Sequence, residues 1–169
     1  TNVSTVTAQF NSVRVTQELP FIIQSRDQFG NRLTTGGIVA SATVSPIDFN
    51  APQAYLLFTD LFDGTYSCSF TTTQSGRYSV SVTKGNIHYL GSPFNVTIDP
   101  GNPFAPSSKL SNLFVNKIVA GVPNLLVIET FDYFGNKITT GGDLFEISYS
   151  DRDFIVNTLP FTDGGRGSY

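Results

Sequence analysis

Over much of the chain, apolar and polar side chains take turns. Ile38, Ala40, Ala42 and Val44 alternate with Val39, Ser41 and Thr43, and Tyr66, Cys68 and Phe70 alternate with Ser67 and Ser69. Tyr78, Val80 and Val82 alternate with Ser79 and Ser81, and Phe94, Val96 and Ile98 alternate with Asn95 and Thr97. Successive side chains of a strand point to opposite faces, so this pattern puts one face on a core and the other in water. Gly, Pro, Asn and Asp separate the runs at intervals of roughly 8 to 12 residues, the rhythm of an antiparallel sandwich. No stretch carries the apolar stripe of an amphipathic helix. The pattern predicts an all-β chain.

The chain also repeats itself. Asp27-Gln28-Phe29-Gly30-Asn31-Arg32-Leu33-Thr34-Thr35-Gly36-Gly37 returns as Asp132-Tyr133-Phe134-Gly135-Asn136-Lys137-Ile138-Thr139-Thr140-Gly141-Gly142, an offset of 105. Phe58-Thr59-Asp60 and Gly64-Thr65-Tyr66 return as Phe161-Thr162-Asp163 and Gly167-Ser168-Tyr169, an offset of 103. Similar blocks in the same order mark two copies of one module of about a hundred residues. Residues 1–99 are expected to form one complete copy, and residues 109–169 the first part of a second, truncated about thirty residues short of the first copy's span. Between them, residues 100–108 carry Pro100, Pro103 and Pro106, which predicts an extended, semi-rigid linker. A four-strand remnant leaves apolar surface and strand edges uncovered, so the second segment is expected not to fold alone.

Composition narrows the function classes. The chain has 169 residues and is 40% hydrophobic, enough apolar material for a packed core, which argues against global disorder. Charged residues make up 14%, against about 25% in ordinary soluble proteins. The net charge is -3 and no Lys/Arg cluster occurs, so no nucleic-acid surface is expected. One Cys excludes an internal disulfide, and one Cys with one His cannot build an ordinary zinc site. Apolar runs such as Leu125 to Ile128 are too short to span a bilayer. The absence of an initiator Met and of a basic-then-apolar leader reads as a fragment or processed chain, with any membrane attachment through an anchor elsewhere.

Candidate chemistry is sparse, and each candidate has a simpler structural role. Asp60 with Asp63, and Asp151 with Asp153, bracket turns, but calcium needs six or more converging oxygens and neither pair has a known loop spacing. Asp27 and Asp132 sit in the repeated turn, where a carboxylate bonds local backbone amides. His88 falls in a hairpin turn without a rigid base-orienting partner, and Cys68 points inward with Tyr66 and Phe70 as an inert thiol. Gly30-Asn31 and Gly36-Gly37 are hairpin chemistry, because no Lys or helix follows to make a phosphate loop. Tyr78, following Gly76, is placed to fold its hydroxyl back on nearby backbone. No catalytic residue, metal ligand or cofactor is expected. Asn2-Val3-Ser4 and Asn95-Val96-Thr97 fit the N-glycosylation acceptor pattern, so Asn2 and Asn95 are candidate modification sites.

The motifs themselves resemble a known family. Asp63-Gly64-Thr65-Tyr66, then Gly76-Arg77-Tyr78-Ser79-Val80-Ser81-Val82, then Gly91-Ser92-Pro93-Phe94 are similar to the filamin-type immunoglobulin-like repeat, as is the Asp-x-x-Gly-Asn block before Gly36-Gly37. The resemblance implies tandem immunoglobulin-like antiparallel β-sandwiches without an inter-sheet disulfide. It also implies partner binding beside the third and fourth strands, where an extended peptide adds as a further strand. Here those strands are expected at Ile38–Val44 and Ala54–Thr59, with Ile38, Ala40, Ala42, Val44, Tyr55 and Leu57 as edge candidates. Homotypic contacts between repeats are the other expected partner class. Two sequons and a charge-poor, hydroxyl-rich composition favour a non-enzymatic adhesion or recognition protein at the cell surface, similar to gamete-surface proteins with extracellular filamin repeats. The alternatives are an intracellular, cytoskeletal filamin-like scaffold that cross-links actin, or an accessory module of an enzyme such as a ubiquitin ligase.

Overall fold

A computed structural model describes residues 4–38, 40–50, 54–56, 58–111, 127–146, 148–150, 156–158, 163–165 and 167. The chain divides into two units, Thr1–Asp99 and Pro100–Tyr169. In the first unit the strands are β1 (Thr5–Ala8), β2 (Ser12–Arg14), β3 (Leu19–Gln24), β4 (Ser41–Pro46), β5 (Ala54–Leu56), β6 (Thr59–Asp60), β7 (Thr65–Phe70), β8 (Gly76–Lys84), β9 (Ile87–His88) and β10 (Phe94–Asp99). Among the described residues no α-helix forms, and the architecture is an all-β immunoglobulin-like sandwich.

One sheet runs β1-β3-β7-β6 and the other β2-β10-β8-β4-β5, with β9 folded back on the end of β8. All pairings are antiparallel except β2 on β10. Alternation decides which side chains meet between the sheets. Leu19, Phe21 and Ile23 from β3 are fully buried, as are Ala42 from β4 and Val80 and Val82 from β8, while the residues between them face outward. Burying each of the large ones stabilises the unit by roughly 1.5–3 kcal/mol. Phe21 takes Phe58 and Phe94 edge-on at 6.1 and 5.9 Å between ring centroids, and Tyr78 joins Phe49 at 5.4 Å and Phe70 at 5.3 Å.

Two strand expectations change. The run from Ile38 is strand only from Ser41, because the Ile38 N–H donates to the Tyr66 hydroxyl at 2.8 Å instead of entering a ladder. The single strand expected over Ala54–Thr59 is divided: β5 pairs with β4 in one sheet and β6 pairs with β7 in the other. The chain therefore crosses between sheets within this run, with Phe58 packed on the core at the crossing.

The second unit contains β11 (Lys109–Ser111), β12 (Val127–Glu129), β13 (Ser148–Ser150) and β14 (Val156–Thr158), paired β11 with β12 and β13 with β14. Its Lys109↔Glu129 register matches Thr5↔Gln24 of the first unit. The proline-rich stretch is not extended throughout. Ala105–Ser107 form a 3₁₀ turn, and Gly101 and Phe104 bond to residues of the second unit.

Candidate functional site

The repeated turns are built by carboxylates. Asp27 Oδ1 accepts the N–H groups of Phe29 and Asn31, each at 2.9 Å, and Oδ2 accepts Asn31 Nδ2 at 2.9 Å. Asp132 makes the same three bonds to Phe134 and Asn136. Asp60 ties two loops together, accepting the Gly37 N–H at 2.9 Å and the Phe62 N–H at 2.8 Å, and Asp163 does the same with Gly142 and Gly165 at 2.7 Å each. Asp63 accepts the Thr65 N–H at 2.9 Å, and its hydrogen bonds with the Thr65 side chain and backbone hold its carboxyl below the ordinary range. These carboxylates spend their lone pairs on local donors, which is turn construction. Among the described residues, no group of three or more His, Cys, Asp or Glu converges to hold a metal ion. Asp151 and Asp153 lie outside the described residues.

Cys68 is 7% exposed, and burial pushes its thiol up to about 11, far from the thiolate a nucleophile needs. His88 is exposed on β9, with Nδ1 3.4 Å from both Ser81 Oγ and Ser92 Oγ. Ser92 Oγ already accepts the Val82 N–H at 2.7 Å, so that hydroxyl serves the ladder. The Tyr78 hydroxyl donates to the Gln74 carbonyl at 2.8 Å, the fold-back its position predicts.

The ends of each sheet carry backbone groups that pair with no further strand among the described residues. Among the described residues, β5 and β2 end one sheet and β1 and β6 end the other. The β1 edge is met at its start by Leu90, whose carbonyl accepts the Val6 N–H at 3.0 Å and whose N–H donates to Ser4 at 2.9 Å. The candidate edge residues separate into groups. Ala42 and Val44 are 0% and 2% exposed, and both pair with β5, so they are core positions on an interior strand rather than an open edge. Ile38 and Ala40 are half-buried against the core beside β4. Tyr55 lies in β5 opposite Thr43, and Leu57 lies outside the described residues. The signal for the displaced edge was the Ala54–Leu56 run itself, but nothing local says which sheet it joins.

Asn95 is exposed on β10 between half-buried Phe94 and buried Val96, accessible to modification. Asn2 lies outside the described residues. No helix among the described residues is long and apolar enough to cross a membrane.

A two-sheet sandwich with filamin motifs in its turns defines the class, and comparison with known proteins gives the family. The Filamin/ABP280 repeat matches residues 1–95, and the chain belongs to that family. E3 ubiquitin-protein ligase TRIM45 of Bos taurus is 35% identical over 85 residues, which is 50% of this chain and 15% of that protein. The chain thus spans a small part of that relative's length. Among solved structures, the Escherichia coli adhesin FdeC shares the fold at 19% identity, with a TM-score of 0.59 over 87% of this chain and 45% of FdeC. Invasin, a bacterial integrin-binding protein, shares it at 21% identity, with a TM-score of 0.59 over 86% of this chain and 29% of invasin.

Proposed function

We propose that the chain is a non-enzymatic recognition module of a cell-surface protein, binding protein partners by strand addition. In this reading residues 1–99 are one filamin repeat, residues 100–108 the linker and residues 109–169 the first part of the next repeat. The observation that carries it is the position of β5 at the end of its sheet, where the outer backbone groups of Ala54–Leu56 offer a template for an extended peptide. Half-buried Ile38, Ala40 and Leu56 supply apolar ground beside that edge. The fold is also that of the adhesin FdeC and of integrin-binding invasin, which supports the adhesive reading. The exposed Asn95 sequon supports the extracellular setting.

Peptides selected against the chain from a random displayed library test the edge. Titration into the labelled chain is expected to move the amide resonances of residues 54–56 and 41–44 first. Shifts confined to other faces would reject β5 as the edge. Expression in a secretory eukaryotic host tests the setting: a mass loss on N-glycosidase treatment, mapped to Asn95, is expected.

The likeness to bovine TRIM45 favours a second reading, a recognition repeat within a larger intracellular ubiquitin ligase or scaffold. An Asn95 that stays unmodified in the secretory host selects it over the first.

A further inference from the structure

Residues ahead of β11 fold onto the Asp132 turn within the second unit. The Gly101 N–H donates to Asp132 Oδ2 at 2.8 Å and the Phe104 N–H donates to the Phe131 carbonyl at 2.8 Å. Pro103 bridges Asp132, and the Phe104 ring meets Tyr133 at 5.2 Å between centroids. Ser108 closes the arrangement, its Oγ accepting the Phe131 N–H at 3.2 Å and donating to the Phe104 carbonyl at 3.1 Å. A Gly-x-Pro-Phe segment, bent at Asn102, is thus held by a carboxylate, a backbone carbonyl and an aromatic ring.

The first unit carries the carboxylate, carbonyl and serine of that seat, with Gln28 in place of Tyr133. Ser4 stands where Ser108 stands, its Oγ accepting the Arg26 N–H at 2.9 Å as Ser108 accepts that of Phe131. Asp27 repeats the three bonds of Asp132 to its own turn. Asp132, which also receives Gly101, is 1% exposed, whereas Asp27 is only half-buried. Phe29 is 80% exposed, against 45% for Phe134 at the equivalent position. Phe29 thus leaves more apolar surface uncovered than its counterpart in the second unit.

We propose that the Arg26–Asn31 turn is the seat of an inter-repeat linker of Gly-x-Pro-aromatic chemistry, entering the first repeat from its N-terminal side. The Arg26 carbonyl, which already accepts the Ser4 hydroxyl at 3.4 Å, would accept the aromatic residue's N–H as a second donor, and Asp27 Oδ2 would accept the glycine N–H beside Asn31 Nδ2. The aromatic ring rests towards Phe29, since Gln28 replaces Tyr133. The register places that aromatic residue four positions before Ser4, as Phe104 stands four before Ser108. A linker held this way is anchored to the repeat that follows it, so the docking seat recurs at the head of each repeat that has the Asp-x-x-Gly-Asn turn.

The test uses the full chain with Gly-Asn-Pro-Phe placed directly ahead of Thr1, against a control carrying Gly-Asn-Gly-Gly there. Covalent attachment keeps the local concentration of the segment high. The Pro-Phe chain is expected to move the amide resonances of Asp27, Phe29, Gly30 and Asn31. Exchange of the Phe29 and Asn31 amides is expected to slow about fivefold, the factor of one added hydrogen bond. Phe29→Ala in the Pro-Phe chain is expected to reduce both effects, and its exposed position leaves folding intact. Identical resonances and exchange at these amides in the Pro-Phe and control chains would overturn the proposal, as would shifts confined to residues outside the turn.

Discussion

Replacing Gly30 or Gly64 with alanine makes the same demand on the backbone and different demands on the neighbours. Both residues are in the left-handed region, at φ +89° and +84°. An L side chain there costs roughly 1–2 kcal/mol. At Gly30 an added Cβ meets nothing within 4 Å, so that conformational cost is the whole effect. At Gly64 it falls on the Leu33 carbonyl, with the Thr34 nitrogen 3.2 Å away, and neither is the movable end of a side chain. Overpacking of this kind adds roughly 1–3 kcal/mol. The Gly64 carbonyl also accepts the Ser25 N–H at 2.9 Å and Gln24 Nε2 at 3.3 Å, so a backbone shift loosens β3 as well. Gly30→Ala is expected to cost roughly 1–2 kcal/mol and Gly64→Ala roughly 2–5 kcal/mol. For a domain of this size each kcal/mol lowers the melting temperature by about 4–8 °C. Scanning calorimetry then shows Gly30→Ala lower by about 4–16 °C and Gly64→Ala, in the same experiment, by a further margin within about 8–40 °C, or unfolded. Equal losses in the two variants would refute the claim that the Gly64 turn is seated against the Leu33 backbone.

Tyr78→Phe removes the 2.8 Å bond to the Gln74 carbonyl from a side chain only 5% exposed, and is expected to cost about 1–2 kcal/mol. The urea midpoint falls with an unchanged slope, and an unmoved midpoint would show that the hydroxyl contributes nothing. Cys68, with its thiol pushed up to about 11 by burial, is expected to react with a thiol reagent at pH ~8 only as fast as the unit opens. Immediate labelling of the native chain would contradict its inward placement. At Asp132 burial raises the carboxyl, but bonds from the Asn136 side chain and from the Gly101, Asn136 and Phe134 N–H groups outweigh it and hold the group below its ordinary 3.8. A depressed folded value means stabilisation that is complete above the ordinary value and fades as pH falls through the lower one. Protection of the Gly101 amide, corrected for intrinsic exchange, is expected to hold down to pH ~4 and to fade as pH falls further through the lowered value, and a flat profile would dissociate the linker from that carboxylate.

The strands with clean alternation were legible because their pattern is local. Tyr66–Phe70, Gly76–Val82 and Phe94–Ile98 each show polar residues at the outward positions, and each is a strand with the expected face inward. Leu19–Gln24 hides its period, because Pro20 and Ile22 occupy positions where polar residues would mark the outer face. Its register appears only when it pairs with β1 and β7. Ile38 and Ala40 continue the alternation into β4 but lie outside the strand, since Tyr66 captures the Ile38 N–H from the opposite sheet. The candidate edge suffered most. Ala42 and Val44 read as edge positions, yet β5 covers them, and an edge is defined by what does not pair, which no single run of residues encodes.

By itself the sequence determined the all-β class, the repeat, and the turn carboxylates Asp27 and Asp132, because alternation, left-handed glycines and Asx chemistry act between residues close in the chain. Tertiary structure alone decided that residues 54–60 divide between two sheets, that β5 rather than β4 ends its sheet, and that Gly101 and Phe104 bind the Asp132 turn. Those outcomes are pairings across many residues, where similar short strands compete for the same ladder and only the packed core settles which wins.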